Sequence, residues 1–211
     1  MSHEATLEAA RAVVRNEGAA VLAVADQLDD SFIEVVDLLQ SCTGKVFVTG
    51  SGTSGATARR MAHLLAVCGT PSTFIHPMDA LHGTMGALAA GDVLISISRG
   101  GESAEINDFS TRAQRRSVSV VALTAEPEST LGRLADVTVT LITEGEGDPG
   151  GVIAMGSTLV TSVWGDALAN ILMRRRGYGW DQVLETHPAG AVGQITDLPD
   201  PLTGIDAPAS A

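Results

Sequence analysis

The sequence predicts an α/β protein built on a doubly wound parallel sheet, and three observations carry this prediction. From Lys45 onwards, short runs rich in β-branched residues alternate with longer stretches at helical spacing. The runs are continuously apolar, which is typical of strands covered on both faces. Five such runs occur, and the repeated order of strand, helix and strand favours a parallel sheet flanked by helices.

Two helices, or one interrupted helix, are predicted before the sheet. Apolar residues recur at helical spacing over residues 5–40, and Asn16-Glu17-Gly18 breaks the pattern. The five predicted strands are Val46–Thr49, Ser72–His76, Val93–Ser98, Val118–Thr124 and Val137–Thr143. The predicted helices between them are Ala56–Cys68, Ser103–Arg115 and Glu128–Ala135.

A long helix is predicted over Ser157–Arg176, with Ser157 as its N-cap, after a glycine-rich loop. Trp180–Glu185 is expected to add a turn of helix. Beyond residue 194 the chain is mainly Pro, Asp, Ala and Thr. We therefore expect an N-terminal helical segment at 1–40, one domain at 41–193 and a flexible tail at 194–211.

Composition excludes several classes of function. Acidic residues outnumber basic ones 25 to 13 in the 211-residue chain, a net charge of −12 that argues against nucleic-acid partners. No apolar run approaches the ~18 residues of a membrane helix, and the N-terminus lacks the features of a signal peptide. The two cysteines form no C-x-x-C pair, and no histidines have metal-site spacing. We expect a cytoplasmic protein without metal, cofactor or membrane partner.

The loop after the first strand is a candidate anion site, because ligands of doubly wound sheets bind beyond the carboxyl ends of the strands. Thr49-Gly50-Ser51-Gly52-Thr53-Ser54-Gly55 combines glycines and hydroxyls just before a helix. Backbone N–H groups of such a loop converge on an anion. The loop lacks the lysine of a P-loop, and no acidic residue follows strand two as in dinucleotide sites. A plain tight turn is the alternative.

A second loop of this kind, Ser98-Arg99-Gly100-Gly101-Glu102-Ser103, follows the third strand. Two such loops on one edge would direct two positive helix ends into a shared crevice. Alternatively, Glu102 merely complements the helix dipole and Ser103 is an ordinary cap. Other ionisable groups lie near predicted strand ends or in the C-terminal part, namely His82, Glu128 and His187.

Several segments together resemble the sugar isomerase (SIS) domain family, and most of all its arabinose-5-phosphate isomerase subfamily. The first loop, Val48–Gly55, resembles the family's first phosphate loop, and Ile97–Ile106 resembles its S-N-S-G-E-S-x-E-I loop. His76-Pro77 and Ala80-Leu81-His82-Gly83 resemble its HP-x₃-SHGD segment. The match covers roughly residues 40–193 and stops before the paired CBS domains of many members, so a short form is expected.

The resemblance implies a five-stranded flavodoxin-like sheet, a homotetramer, and aldose–ketose isomerisation of a phosphorylated or otherwise anionic sugar through an enediol(ate). It implies that the phosphate is bound by Ser51, Ser54, Ser98 and Ser103, within a substrate-binding set that includes Gly52, Thr53, Arg99 and Gly100. The same resemblance places Glu102, Glu128, His82 and His187 near the reacting carbons, with His187 from a neighbouring subunit. Carboxylates and imidazoles are the residue types that such proton transfer requires.

The sequence departs from the family pattern in both loops. The family carries lysine where this chain has Thr53, and asparagine and serine where it has Arg99 and Gly100. One cation and one hydroxyl are lost, and Arg99 supplies a cation nearby. Two other functions remain open at this point: a phosphosugar sensor without catalysis, and a lyase on the same scaffold.

Overall fold

A computed structural model describes residues 2–205 and confirms the predicted α/β class. Five parallel strands form one sheet in the order β2-β1-β3-β4-β5, which is the flavodoxin-like order. The strands are β1 (Val46–Gly50), β2 (Ser72–Phe74), β3 (Val93–Ile97), β4 (Ser119–Thr124) and β5 (Val137–Thr140).

Eight α-helices lie in residues 2–205, and those of the predicted strand–helix units fall where the sequence predicts them. They are α1 (His3–Leu22), α2 (Asp30–Ser41), α3 (Gly52–Val67), α4 (Pro77–Leu81), α5 (Ala104–Gln114), α6 (Thr130–Leu134), α7 (Gly156–Arg175) and α8 (Trp180–Glu185). The N-terminal pair is joined by a 3-10 turn at Ala23–Gln27, so the break lies later than Gly18. None of the helices in this part of the chain is both long and apolar enough to cross a membrane.

Strand β3 ends one residue earlier than predicted, at Ile97, and β2 and β5 end two and three residues earlier, each where a side chain binds the backbone instead. His76 leaves β2 to cap α4, where its Nδ1 accepts a hydrogen bond from the Met78 N–H at 3.3 Å. Beyond β5, the side chain of Gln27 pairs with the backbone of Ile142 in place of a strand, at 2.8 and 3.0 Å.

Both faces of the sheet are buried, which explains the continuously apolar strands. Val46 and Val48 of β1 pack into a core formed with α2, α3 and α7. Phe47, between them, belongs to the opposite core with Phe109 of α5. Side chains of a strand alternate between faces, so both sets of residues must be apolar. Residues 30–41, expected in a separate N-terminal segment, contribute to the first core, and the boundary at 40/41 stays a prediction.

The N-cap of α7 is not Ser157, in contrast to the prediction. The helix begins at Gly156, and the carboxylate of Asp148 accepts the N–H groups of Met155 and Ser157, both at 2.9 Å. An Asp oxygen therefore satisfies orphan donors at the positive end of the helix.

Helix α7 spans the height of the sheet and ends at the edge where the strands begin. There Arg176 donates to the carbonyls of Gly69, just before β2, and Leu39. Residues 195–205 form neither helix nor strand, and Arg174 Nε donates to the Thr203 carbonyl at 2.7 Å. The flexibility expected of the tail stays a prediction, and residues 206–211 lie outside the described residues.

Candidate functional site

A crevice is expected beyond the carboxyl ends of β1 and β3, because the strand order reverses between them. Gly50 and Ile97 are the last paired residues of the two strands. The loops that follow therefore start side by side. These are the two loops that the sequence singles out, and they face the same edge of the sheet.

The first loop is tight, and glycine is required where its backbone folds on itself. A Cβ on Gly50 would lie 2.7 Å from the backbone of Ser54, and one on Gly55 would lie 2.7 Å from the Gly50 carbonyl oxygen. The loop enters α3 at Gly52. Its first hydroxyl, Ser51 Oγ, donates to Glu105 Oε1 at 2.7 Å. Gly52 and Thr53 are exposed at the start of the helix.

The second loop brings two serine hydroxyls together. Ser98 is buried, and its Oγ lies 3.3 Å from that of Ser103. The Gly101 N–H donates to the Ser98 carbonyl at 3.1 Å and closes the turn. Gly100 is exposed at the tip of the loop.

A small cleft of about 30 Å³ lies between the N-termini of α3 and α7. Its polar lining within residues 2–205 consists of one guanidinium and six hydroxyl side chains, without a carboxylate. They are Arg99, Ser54, Thr57, Thr124, Ser157, Thr158 and Thr161. Hydroxyls and a cation beside two positive helix ends favour a small anion. The sequence did not indicate Thr57, Thr124 or the hydroxyls of α7 as ligand-binding residues, because no short motif marks them.

Arg99 and Asp148 face each other at this cleft. Arg99 Nε lies 3.4 Å from Asp148 Oδ2, and Nη1 lies 3.5 Å from the Gly151 carbonyl oxygen. Burial opposes ionisation of Asp148, but hydrogen bonds from Ser157 and Met155 and the charge of Arg99 outweigh it. The pKa of Asp148 is therefore below its usual value.

Glu102 and Glu128 lie on the β4 side of the crevice. The Glu102 carboxylate accepts both the N–H and the hydroxyl of Thr130, at 2.8 and 2.7 Å, at the start of α6. These bonds, hydroxyl first, lower the pKa of this exposed carboxyl. Glu128 is exposed, and its backbone carbonyl accepts a hydrogen bond from Arg133. Their catalytic roles stay predictions.

Glu105 is a carboxylate that the sequence analysis did not single out. It lies three residues after Glu102, in the first turn of α5, where its side chain is partly buried against the first loop. The hydrogen bond from Ser51 is the main cause of its lowered pKa, and the nearby His76 acts in the same direction. Its closeness in sequence to Glu102 could have indicated it, since only Ser103 and Ala104 separate the two.

The two predicted catalytic histidines lie at opposite edges of the sheet. His82 is exposed and ends α4, on the edge that carries both loops. His187 follows α8, which continues from the far end of α7. Its Nδ1 lies 2.7 Å from the Val183 carbonyl oxygen, and this contact fixes the direction of the ring. Within one chain the structure does not bring His187 to the crevice. No cluster of His, Cys, Asp and Glu suited to a metal occurs in residues 2–205.

This fold and these loops define an α/β ligand-binding domain with a glycine- and hydroxyl-rich crevice at its topological switch point. Residues 38–171 match the SIS domain model, and the chain belongs to the SIS domain family. The family prediction from the loop motifs is thereby confirmed.

Two named relatives are arabinose 5-phosphate isomerases, the subfamily that the loop motifs resemble. The chain is 35% identical over 190 residues, 90% of its length, to the arabinose 5-phosphate isomerase GutQ of Escherichia coli K12. It is 40% identical over 174 residues, 82% of its length, to the arabinose 5-phosphate isomerase KdsD of the same strain. The chain spans only 59% and 53% of those two proteins.

Solved structures resemble the fold over most of the chain. One from E. coli CFT073, in complex with A5P, has a TM-score of 0.85 and 33% identity, covering 89% of this chain and all of its own. The Vibrio vulnificus NanR protein in complex with ManNAc-6P has a TM-score of 0.62 at 20% identity, over 88% of this chain and 66% of its own, and shares the fold alone.

Proposed function

We propose that this chain is an aldose–ketose isomerase of a phosphorylated sugar, with arabinose 5-phosphate as the first substrate to test. The observation that carries the proposal is the cleft, whose polar lining in the described chain is hydroxyls and one guanidinium. Two helix N-termini add positive potential there. The names of the relatives and the A5P complex of a similar structure support the choice of sugar.

The anionic end of the sugar binds where the two loops meet. Ser54 and Arg99 line the cleft from either side. The remaining members of the set are Ser51, Gly52, Thr53, Ser98, Gly100 and Ser103. Backbone N–H groups and hydroxyls at helix starts can bind a dianion without a lysine, so the Thr53 difference from the family is compatible with phosphate binding.

The sugar's carbonyl end then lies near carboxylates and imidazoles. A base takes the proton from C2 and returns it to C1, while an acid–base group moves a proton between O1 and O2 through the enediolate. Glu105 is ionised at neutral pH, as a proton acceptor must be, although the hydrogen bond from Ser51 that lowers its pKa also makes it a weaker base. We place four further ionisable side chains near the reacting carbons: Glu102, Glu128, His82 and His187.

The site is completed by a second subunit in a cytoplasmic homotetramer. His187 lies at the edge opposite to its own loops, so it reaches a crevice only from a neighbouring copy. Exposed apolar side chains on α1 support self-association: Leu7, Val14 and Leu22 are 51%, 68% and 78% exposed.

The test is incubation with arabinose 5-phosphate in D₂O, followed by proton NMR. The expected result is the 2-ketose isomer, with deuterium at C1 of the ketose and at C2 of the recovered aldose. A shift in Tm without exchange would favour the sensor, and sugar loss with new fragments would favour the lyase. Either result, or neither binding nor exchange, would contradict the isomerase.

A further inference from the structure

Asp148 is a buried carboxylate whose two oxygens have different partners. Only 4% of its side chain is exposed. Oδ1 accepts two backbone N–H groups at the start of α7, from Met155 and Ser157. Oδ2 is buried and has no hydrogen bond from any residue within 2–205. A buried carboxylate oxygen without a hydrogen bond is unfavourable. The neighbour that compensates its charge is Arg99 Nε, at 3.4 Å.

Arg99 is held at one edge and open at the other. It follows β3, whereas Asp148 precedes α7, so the ion pair joins two loops across the cleft. Nε faces the carboxylate, and half of the side chain remains exposed where it lines the cleft. Because a guanidinium is planar, fixing its Nε edge also fixes the direction of its two Nη groups.

We propose that Asp148 is a positioning residue that holds the Arg99 guanidinium over the cleft, so that Arg99 binds the anionic end of the substrate in a preset orientation. An unanchored arginine would lose rotamer freedom when it binds, and anchoring removes that cost. The inference rests on the proposed function for the identity of the substrate. It deepens that function by naming what sets the affinity of the site for an anion.

Electrostatics and positioning predict opposite results when Asp148 is neutralised. Acting by charge alone, Asp148 would weaken anion binding, and Asp148→Asn would tighten it. If Asp148 acts by positioning Arg99, Asp148→Asn would weaken anion binding. The Asn side chain keeps an oxygen for the two N–H groups of α7 and places an N–H₂ donor opposite the Arg99 Nε–H. The substitution therefore preserves the helix cap and releases the guanidinium.

The experiment measures the Kd of inorganic phosphate by calorimetry and the KM and kcat for arabinose 5-phosphate. For Asp148→Asn we expect both Kd and KM to rise about tenfold, the scale of one charge-assisted contact, with a smaller change in kcat. In an Arg99→Ala background, Asp148→Asn should have no further effect on Kd. The matched control is Asp29→Asn, which neutralises the carboxylate that caps α2, is absent from the cleft lining and should leave both constants unchanged.

An Asp148→Asn protein that binds phosphate as tightly as the wild type, or more tightly, overturns the inference. Additive effects of the two changes also overturn it. If Asp148→Asn is unfolded by circular dichroism, Arg99→Lys replaces it, since it keeps the charge without touching the α7 cap. Wild-type phosphate affinity in Arg99→Lys would then overturn the inference. If phosphate binding weakens in Asp148→Asn as expected but the wild-type protein does not turn over arabinose 5-phosphate, the positioning role stands and the proposed function is contradicted.

Discussion

Mixing two inactive variants tests whether the active site is shared between subunits. The variants are Glu105→Gln at the crevice and His187→Ala at the far end of the chain. Helix α7 has 20 residues and is therefore about 30 Å long. His187 lies beyond its last turn, whereas Glu105 contacts the first loop at the edge of the sheet where α7 begins, so no side-chain movement within one subunit brings the two together. Each variant alone should lose about 10²-fold in kcat.

Equimolar mixing should restore a defined fraction of activity if subunits exchange. Each site then draws Glu105 from one subunit and His187 from another, and each residue is intact with a chance of about one half. About a quarter of the sites are complete, so kcat should recover to about a quarter of the wild-type value. In a site formed within one chain every copy carries one defect, and nothing is recovered.

The assay is isomerase turnover after co-refolding of differently tagged variants, with pull-down to verify mixed oligomers. A mixture of His187→Ala with the Glu105→Gln/His187→Ala double variant is the matched control, because no site in it contains an intact histidine. Mixed oligomers whose activity equals the sum of the separate variants would refute the shared site. So would wild-type protein that is monomeric by light scattering and fully active.

Three further predictions concern the crevice. Glu105→Gln should reduce kcat about 10²-fold. Glu102→Gln should reduce kcat less, because the Glu102 carboxylate already accepts two hydrogen bonds from Thr130. A larger loss of kcat for Glu102→Gln than for Glu105→Gln would contradict this prediction. Gly100→Ser should keep the wild-type Tm, because its Cβ meets nothing within 4 Å, and should lower KM by supplying a hydroxyl. Gly101→Ser should lower Tm sharply, because φ is +64° and its Cβ would lie 1.8 Å from a serine hydroxyl; equal Tm values for the two variants would exclude this reasoning. The lowered pKa of Asp148 means that its ionised form stabilises the fold above the ordinary value of 3.8, and that this contribution is lost as pH falls through the lower folded-state value. The Tm difference between wild type and Asp148→Asn should therefore shrink as the pH falls through and below 3.8, and a constant difference would contradict the assignment.

The sheet was predictable because its strands are buried on both faces and therefore consist of uninterrupted apolar residues. Strand ends were less predictable, because they depend on contacts that are distant in sequence. Gln27 ends β5 by pairing with Ile142, 115 residues away. The cap of α7 follows the same rule. Ser157 fits the local N-cap pattern, but the carboxylate of Asp148, nine residues earlier, accepts the N–H groups of Met155 and Ser157 instead.

The candidate site shows a similar division. Glycines and hydroxyls identified both loops, because any anion-binding turn at a helix start needs small residues and donors. The direction of each carboxylate was not predictable, since Glu102 and Glu105 lie only three residues apart but contact different elements. The position of His187 depends on the length of α7, which the residues around His187 do not indicate.

The net charge of −12 constrains partners only at long range, and the structure explains why an acidic chain can still bind an anion. Charges farther apart than about 8 Å are largely screened at physiological salt. Within that distance the cleft lining of the described chain carries Arg99 and hydroxyls, while the adjacent Asp148 directs one oxygen at backbone N–H groups and the other at Arg99. Both oxygens of the carboxylate beside the cleft are thus already engaged. Local hydrogen-bond donors, rather than the total charge, therefore set the affinity of the cleft for an anion. For the same reason, the acidic surface disfavours a polyanion such as nucleic acid but not one small phosphate ester.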